Sequence, residues 1–432
     1  LFAMWLPLTR WFNWLSIARW GSMGARGRPL SKRLRLGSYR ARTGPITDQT
    51  VESGGRAPSA GAQALKRQHL ATGPARQPRY HGEREKNPSA RRPTCTCSAT
   101  TTPQSVGYTE GDAHCERARE LIRQACSCPD AMVEFCIGGT SANVVCLSGM
   151  LRDWEGVICT PDAHIVVHET GALAATGRTA LPTSDADGFL TPEAAERVYQ
   201  FQTGTGRHMT RPTAIYITDT TELGGVWTRE RLDAICDWAR SHDLGIFLDG
   251  ARLGSALTAP GNDLSLAHIA SRVDAFYIGG TKNGMLMGEA IVICGHGSHA
   301  QRLRESFPFL QKERGGLLAK GFLLGAQFEA AFADAGDGSE VLYWQLARHA
   351  NECATRLREG LVAAGYELYG NSTSNQVFVT VSEVQEARLA EAAGCETFYV
   401  LEDGRRAIRF VCSWATAAAD VDELLALARE LA

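Results

Sequence analysis

Two short apolar runs, at residues 246–248 and 275–278, are the feature that most constrains how this chain folds. Both runs are continuous rather than alternating, which is typical of strands buried on both faces of a parallel sheet. The first run ends at Asp249, and the second leads into a glycine-rich turn that contains Lys282. Ligands of open α/β sheets bind beyond the carboxyl ends of the strands. We therefore expect a carboxylate and an amine to meet at one edge of a buried sheet.

The sequence around Lys282 favours an unpaired lysine, because its neighbours are glycine, threonine and asparagine rather than acidic residues. Such a lysine suits imine formation with a carbonyl compound, which requires the amine to be neutral part of the time. A nearby carboxylate such as Asp249 suits the pyridinium partner of pyridoxal phosphate, which keeps the ring an electron sink. The alternative for Asp249 is a helix cap, a position that aspartate often occupies. Together the two residues indicate pyridoxal-phosphate chemistry.

The motifs around these residues carry a family resemblance. The sequence LDGARL at residues 248–253, followed by GGTKNG at residues 279–284, resembles the L-threonine aldolase and β-eliminating lyase family of fold-type-I pyridoxal-phosphate enzymes. The similarity extends from about residue 103 to the C-terminus. It implies an α/β fold, with a fold-type-I large domain and a mostly parallel sheet at residues 103–338, and a smaller α+β domain at residues 339–432.

The sequence Gly138-Gly139-Thr140 is a candidate phosphate-binding turn. It follows a predicted strand at residues 132–137 and precedes an apolar helix at residues 144–151. This order of elements favours anion binding, because free backbone N–H groups and the positive end of the helix face the ligand. Gly-Gly turns are common, so the pattern alone is weak evidence. With the lysine motif and the resemblance, it predicts that these three residues bind the cofactor phosphate.

Three histidines are candidate catalytic residues. His164 and His168 stand four residues apart, so they could cap or pack on one face of a helix; no third ligand is evident for zinc, and no metal site is expected. The resemblance implies that His164, in the sequence AHI, stacks on the cofactor ring, with His168 lining the same pocket. It also matches His208, by its spacing to Thr220, to a histidine near the substrate hydroxyl. Outside the family, a histidine before a strand is usually a surface residue.

Two arginines are candidate anion-binding residues. Arg252 follows Asp249 in the LDGARL motif and is expected to serve either the cofactor phosphate or the substrate carboxylate. Arg409 stands in the otherwise apolar sequence AIRFVC, and a buried arginine requires an anionic partner. The resemblance implies that Arg409 binds the substrate α-carboxylate through a planar, bidentate contact that lysine forms poorly. A structural salt bridge is the alternative.

The N-terminal part of the chain differs from the rest. Residues 1–92 contain 18 lysines and arginines against 4 acidic residues, whereas the whole chain carries a formal net charge of −2. This basic, low-complexity composition cannot bury enough apolar surface to offset its ordering entropy. Residues 1–102 could be a transit peptide, a basic tail that binds nucleic acid, or non-native sequence joined to the enzyme. We favour the third, because the N-terminal segment implied by the resemblance is missing.

Composition also gives expectations about compartment and partners. The chain has 13 cysteines without a C-x-x-C pair, which favours reduced thiols and a cytoplasmic location, or a mitochondrial one if a transit peptide is present. No apolar run reaches the roughly 20 residues that a membrane helix requires. The expected partner is a small amino acid, and nucleic-acid binding is not expected. The resemblance implies a homodimer or homotetramer.

The resemblance implies a pyridoxal-phosphate-dependent aldehyde-lyase of the threonine aldolase type. Such an enzyme cleaves the Cα–Cβ bond of β-hydroxy α-amino acids, converting L-threonine or L-allo-threonine to glycine and acetaldehyde. Lys282 would hold the cofactor, and His208, or His168 through water, would accept the β-hydroxyl proton. The alternatives are a β-eliminating lyase or an aminotransferase on the same fold and, outside enzymes, an inactive homologue with a basic nucleic-acid-binding tail.

Overall fold

The structure, a computed structural model, describes residues 108–184 and 188–432. The predictions for residues 1–102 therefore lie outside the described residues. The helices of the described chain are α1 (Ala113–Ala125), α2 (Gly139–Met150), α3 (His164–Val167), α4 (Pro192–Thr203), α5 (Arg229–Ser241), α6 (Leu253–Leu257), α7 (Leu266–Arg272), α8 (Ser298–Glu313), α9 (Phe322–Phe332), α10 (Leu342–Ala363), α11 (Glu383–Ala393) and α12 (Ala418–Leu431). The strands of its main sheet are β1 (Met132–Cys136), β2 (Glu155–Cys159), β3 (Thr179–Pro182), β4 (Arg211–Thr218), β5 (Gly245–Asp249), β6 (Ala275–Gly279) and β7 (Glu289–Ile293).

The main sheet is seven-stranded and mostly parallel, in the order β1-β7-β6-β5-β4-β2-β3. Strands β5, β6 and β7 are buried along their whole length, as their continuous apolar sequences require when helices cover both faces. Strands β4, β5 and β6 are parallel neighbours, so their carboxyl ends meet at one edge of the sheet. The carboxyl ends of β5 and β6 carry the two predicted turns, with Asp249 and Lys282.

Strand β7 runs against both of its neighbours, β1 and β6. An antiparallel strand begins where its neighbours end. Its first residue, Glu289, therefore pairs with Cys136 at the end of β1 and with Gly279 at the end of β6. This reversal brings a carboxylate to the same edge of the sheet as Asp249 and Lys282. Strand β7 was not predicted, although the apolar run IVI in the sequence EAIVIC indicates a buried strand.

The helices that flank the predicted motifs begin at recognisable caps. Thr191 and Thr228 accept hydrogen bonds from backbone N–H groups in the first turns of α4 and α5, and Pro192 opens α4 as predicted. Helix α2 is buried from Ala142 onwards and packs against α8 so closely that a Cβ added at Gly149 would lie 2.5 Å from a Leu303 methyl carbon. This packing holds the N-terminus of α2 at the carboxyl edge of the sheet.

A second, antiparallel sheet has four strands in the order β10-β11-β9-β8. Its strands are β8 (Glu367–Leu368), β9 (Gln376–Val381), β10 (Glu396–Val400) and β11 (Arg406–Val411). They lie within the predicted C-terminal domain, whose boundary at residue 339 stays a prediction. The α/β fold with a mostly parallel large sheet and a smaller α+β part is confirmed. Within the described residues, no helix combines the length and apolar character needed to cross a bilayer.

Candidate active site

A cavity of about 260 Å³ opens at the carboxyl edge of the main sheet. Its wall brings together the turns that follow β1, β4, β5 and β6 and the first residue of β7. The lining residues that the sequence analysis singled out are Gly138, Gly139, Thr140, His164, Asp249, Arg252 and Lys282. Residues that are distant in the sequence therefore meet where the parallel strands were expected to deliver them.

A larger depression, of about 440 Å³, lies at the other edge of the same sheet. It is lined by residues that precede β6 and follow β7, including Asp274, Cys294 and His296, together with Cys126 and Cys128. None of its lining residues lines the first cavity, and none belongs to the motifs above. We therefore regard the smaller cavity as the candidate active site.

Asp249 is the most extensively hydrogen-bonded side chain of the site. It is 4% exposed, and its carboxylate accepts from the hydroxyls of Tyr216 at 2.6 Å and Tyr277 at 2.5 Å. It also accepts from Asn143 Nδ2 and from the backbone N–H of Ala251, each at 3.0 Å. A carboxylate has about four lone-pair sites, so all of them are in use. Burial raises the pKa values of both tyrosines well above their usual value, which keeps these hydroxyls protonated as donors.

Lys282 follows β6 in a single 3₁₀ turn, Thr281–Asn283. Part of the residue is exposed to solvent. The surrounding protein nevertheless displaces water around the amine, and this burial lowers its pKa. The positive charge of Arg252 lowers that pKa further. Within residues 108–184 and 188–432, no hydrogen bond or ion pair holds the ammonium group. A desolvated lysine beside a second cation is a typical activated amine.

The predicted phosphate-binding turn lies at the start of α2, which begins at Gly139 rather than after Thr140. Gly138 is the residue before the helix and has extended backbone angles. The first N–H groups of a helix have no acceptor within it, so this end of the twelve-residue α2 presents free donors to the cavity. A Cβ added at Gly139 would lie 3.0 Å from the Tyr277 hydroxyl, so glycine keeps the turn close to the site.

Arg252 and Glu222 line the cavity without a direct partner. Burial lowers the pKa of Arg252, whereas the negative charge of Glu222 raises it and the positive charge of Arg409 lowers it. The Nε of Arg252 is buried and has no hydrogen-bond acceptor in the described chain. An unpaired guanidinium at a cavity wall is suited to bind an anion. The structure therefore supports an anion-binding role for Arg252 without choosing between phosphate and carboxylate.

His164 lines the cavity and is fixed by an acid. Its Nδ1 lies 2.8 Å from Oε1 of Glu169, a residue with a fully buried side chain. This hydrogen bond raises the pKa of His164, against the opposing effect of burial. The same Glu169 oxygen accepts from Asn143 at 2.7 Å, which links His164 to Asp249. Glu169 and Asn143 were missed, because nothing in their spacing distinguishes them from ordinary loop and helix residues.

The other two predicted histidines lie outside the cavity. His168 is exposed, with its ring 5.4 Å from that of His164. His208 is exposed in a 3₁₀ turn before β4, at the end of that strand opposite Thr218. Eight strand residues at about 3.3 Å each separate His208 from the cavity side of the sheet. We therefore correct the assignment of His208: within this chain it cannot contact a substrate hydroxyl bound beside Lys282.

Arg409 does not line the cavity, but hydrogen bonds through Gln376 link it to a residue that does. It lies on β11, where its Nη1 donates to Gln376 Oε1 at 3.2 Å and its Nη2 forms an ion pair with Glu396. Gln376 in turn donates to Thr220 Oγ1 at 3.2 Å, and Thr220 lines the cavity. The Glu396 side chain is 60% exposed, and ion pairs with exposed partners are weak. The predicted contact between Arg409 and a substrate carboxylate stays a prediction.

Glu289 is a site residue that the sequence analysis missed. It is 4% exposed and lines the cavity, where its two oxygens accept from Gly280 N at 2.7 Å and Thr281 Oγ1 at 2.8 Å. These contacts fix the turn that carries Lys282. Burial raises the pKa of Glu289 from 4.5 to about 7. It was missed because it begins a strand, whereas the ligand-binding residues of open α/β sheets are expected after the strands.

Replacing Glu289 with glutamine is expected to change how stability depends on pH. Between pH 4.5 and about 7 the unfolded chain releases this proton before the folded chain does, so rising pH favours unfolding. The accumulated cost above pH 7 is about 3 kcal/mol. Glutamine can accept a hydrogen bond from Gly280 N and donate one to Thr281 Oγ1, so the turn should keep its contacts. The free energy of unfolding of Glu289→Gln should therefore fall less with rising pH than that of the wild type. Urea unfolding of both proteins at pH 5 and pH 8 measures this difference. An equal decrease in the free energy of unfolding in both proteins would contradict the prediction.

Comparison with known proteins gives the class and then the family. The solved structure of Leishmania major threonine aldolase superposes with a TM-score of 0.73 at 38% sequence identity, over 78% of this chain and 95% of that one. With the lysine and the acid at the carboxyl edge of the sheet, this fold defines a fold-type-I pyridoxal-phosphate enzyme. A model of the beta-eliminating lyase family matches residues 104–384. The chain belongs to this family, which confirms the resemblance.

Two relatives extend the comparison. The low-specificity L-threonine aldolase of Pseudomonas sp. (strain NCIMB 10558) is 32% identical over 301 residues, which cover 69% of this chain and 82% of that protein. The low-specificity L-threonine aldolase of Pseudomonas aeruginosa is 31% identical over 319 residues, covering 73% of this chain and 86% of that protein. The family and these relatives make the protein a pyridoxal-phosphate-dependent lyase.

The residues of the cavity fit this cofactor. The start of α2 offers N–H donors for a phosphate, Lys282 offers an amine with a lowered pKa, and Asp249 offers a buried carboxylate. A cofactor ring N–H at Asp249 would share this carboxylate with, or replace, one of its four donors. Of the residues that supply these donors, Ala251 and Tyr277 line the cavity.

Proposed function

We propose that the protein is a threonine-aldolase-type lyase that cleaves the Cα–Cβ bond of β-hydroxy α-amino acids to glycine and an aldehyde. The observation that carries this proposal is the joint placement of Lys282, with its lowered pKa, and Asp249 in one cavity. The identity to the Pseudomonas relatives supports the choice among lyases. Cytoplasmic location and a homodimeric or homotetrameric state remain predictions.

The roles of the residues follow from their positions. Gly138, Gly139 and Thr140 would bind the phosphate, and Lys282 would hold the aldehyde carbon of pyridoxal phosphate. His164 faces the same cavity, where Glu169 fixes its ring for contact with the cofactor. When bound, the cofactor supplies an electron sink that accepts the electron pair of the broken bond. The Asp249 carboxylate would keep the ring nitrogen protonated, on which this capacity depends.

The substrate carboxylate is assigned to the cationic side of the cavity. Arg252 lines this wall and has an unpaired, buried Nε, and the positive charge of Arg409 reaches it. An anion bound beside Arg252 would offset the unfavourable effect of the Arg409 charge on this guanidinium. Arg409 would contribute by exchanging its exposed partner Glu396 for the substrate.

Replacing Arg252 with alanine is expected to raise KM for the amino acid by about 10- to 100-fold, because a hydrogen bond to a charged group contributes about 1.5–3 kcal/mol. Steady-state kinetics and titration of the cofactor-free protein with pyridoxal phosphate measure the two possible roles separately. Arg405→Ala, at an exposed position in the turn between β10 and β11, is the control. Weakened cofactor binding with an unchanged KM would show that Arg252 binds the cofactor phosphate and not the substrate carboxylate.

The proposed reaction is tested by its products. Purified protein with added pyridoxal phosphate is incubated with L-threonine, and glycine and acetaldehyde are quantified against ammonia and keto acid. We expect equal amounts of glycine and acetaldehyde. Ammonia with a keto acid would indicate a β-eliminating lyase, and keto acid formation that requires an amino-group acceptor would indicate an aminotransferase.

A further inference from the structure

We propose that Glu222 accepts the β-hydroxyl proton of the substrate as the Cα–Cβ bond breaks. The inference rests on the proposed function, because only a β-hydroxy amino acid presents this proton. Glu222 belongs to none of the motifs that the sequence analysis singled out. Its position, its lack of partners and the engagement of the other cavity groups carry the argument.

Glu222 lies where a base for this proton is needed. It is 7% exposed and lines the cavity from the loop that follows β4. In the sheet, β5 with Asp249 stands between β4 and β6. The loop with Glu222 and the turn with Lys282 therefore flank Asp249 from opposite sides. Glu222 lines the same cavity as His164, Arg252 and Lys282, and its negative charge raises the pKa values of all three.

The Glu222 carboxylate has no hydrogen-bond or ion-pair partner in the part of the chain that the structure describes. A carboxylate this deeply buried is costly unless it is paired. Its lone pairs are therefore available to a donor that enters the cavity. The hydroxyl group of a bound substrate is such a donor.

The other carboxylates of the cavity are engaged. Asp249 accepts four hydrogen bonds, and both oxygens of Glu289 accept from the Lys282 turn. Tyr277 donates its hydroxyl to Asp249. The Nδ1 atom of His164 is engaged with Glu169 Oε1, 2.8 Å away. Of the groups that line the described cavity, Glu222 is the carboxylate left free to act as the base.

The loop of Glu222 is held rigidly. Thr221 N donates to Gly225 O at 2.8 Å and Gly224 N donates to Thr221 O at 2.9 Å, so residues 221–225 form a tight turn. Gly224 has a φ of 75° and lies against Ser372, whose Oγ would be 2.3 Å from an added Cβ. A base must be held within hydrogen-bond reach of the proton that it abstracts. This turn provides such support.

The proton and the electrons balance without another reactant. The O–H bond breaks, its proton moves to a Glu222 oxygen, and its electron pair becomes the second bond of the aldehyde carbonyl. The Cα–Cβ electron pair remains with Cα, and a proton taken up at Cα completes glycine. One proton leaves the hydroxyl and one reaches Cα, so Glu222 returns to its starting state when it releases its proton.

The test compares Glu222→Gln with the wild-type holoenzyme. Glutamine keeps an oxygen that can accept a hydrogen bond, but it cannot take the proton. We expect kcat for L-threonine cleavage to fall by about 10²- to 10⁴-fold, the usual contribution of a general base. Exchange of the glycine α-proton with solvent deuterium, followed by NMR, should persist because it involves no β-hydroxyl. Glu222→Asp, which keeps the carboxylate, should recover part of the cleavage rate.

Two further measurements exclude a merely structural effect. Glycine affinity by calorimetry should agree between Glu222→Gln and wild type within about threefold. The cofactor-free Glu222→Gln protein should unfold at a temperature no lower than that of the wild type, because the substitution removes a buried, unpaired charge. Glu391→Gln, at an exposed position of α11, is the matched control and should retain wild-type cleavage.

Three results would overturn the inference. If Glu222→Gln cleaves L-threonine at close to the wild-type rate, Glu222 is not the base. If cleavage and glycine exchange fall together, the residue supports the cofactor site instead. If the wild type exchanges the glycine proton but cleaves no β-hydroxy amino acid, the proposed function fails and the inference fails with it.

Discussion

In Lys282→Ala protein the rate of L-threonine cleavage is expected to fall by about 10⁴-fold or more. A loss of this size equals or exceeds the largest usual contribution of a single proton-transfer group. The expected loss is this large because the proposed function gives Lys282 two tasks, holding the cofactor and moving protons at Cα. Its lowered pKa, caused by burial and by Arg252, fits both tasks. The other lysines of the described chain, Lys312 and Lys320, do not line the cavity and cannot replace it.

The visible spectrum distinguishes loss of chemistry from loss of folding. Wild-type protein with pyridoxal phosphate should show an absorbance band that borohydride changes irreversibly, whereas Lys282→Ala should show only reversible cofactor binding. Lys320→Ala, an exposed position, is the matched control. A borohydride-sensitive, covalently retained cofactor in Lys282→Ala would refute the assignment of this lysine.

Asp249→Ala protein is expected to be less stable than the wild type by about 4 kcal/mol or more, even without cofactor. The substitution removes the acceptor of two tyrosine hydroxyls, an asparagine amide and a backbone N–H. Each buried donor left without a partner costs about 1–3 kcal/mol. Water that enters the vacated space can satisfy some of these donors, so the loss should be below the full sum. Urea unfolding of the cofactor-free proteins measures it.

Two milder variants test the cause of this loss. Tyr216→Phe removes one donor and leaves the carboxylate paired, so it should cost about 1 kcal/mol. Asp249→Asn keeps the size of the side chain but presents an amide NH₂ group to donors, so it should fall between Tyr216→Phe and Asp249→Ala. A cofactor-free Asp249→Ala protein as stable as the wild type would show that these hydrogen bonds contribute little.

The parts of the fold that followed from the sequence are those with strong local patterns. Continuous apolar runs predicted β5 and β6, and a threonine cap followed by proline predicted the start of α4. The placement of Asp249 and Lys282 in one cavity followed from the general behaviour of parallel strands. The family was predicted from the LDGARL and GGTKNG motifs, and the family match confirms it.

The residues that were missed depend on pairing between distant parts of the chain. Glu289 reaches the site only because β7 runs antiparallel, and strand direction is not written in a single apolar run. Asn143 joins the site through hydrogen bonds to Glu169 and Asp249, which lie 26 and 106 residues further along the chain. No local pattern encodes such contacts, so single-sequence reasoning cannot find them.

His208 shows the reverse error. Its spacing to Thr220 matched a family pattern, but spacing along a strand does not tell which end of the strand faces the ligand. Strand β4 runs from Arg211 to Thr218, so a residue before it lies at the far side of the sheet from a residue after it. The same strand delivers Glu222 to the cavity. Strand direction therefore decides which of these two residues can touch the substrate.

The double pairing of β7 has a consequence for changes of chain length. Because Glu289 is matched to Cys136 on one side and to Gly279 on the other, a deletion of one residue between Lys282 and β7 cannot be absorbed by sliding the strand. Sliding by one position would turn every side chain of the strand to the opposite face and put an alanine methyl where the carboxylate stands. Natural variants of this enzyme should accordingly accept insertions in exposed loops long before they accept one in this connection.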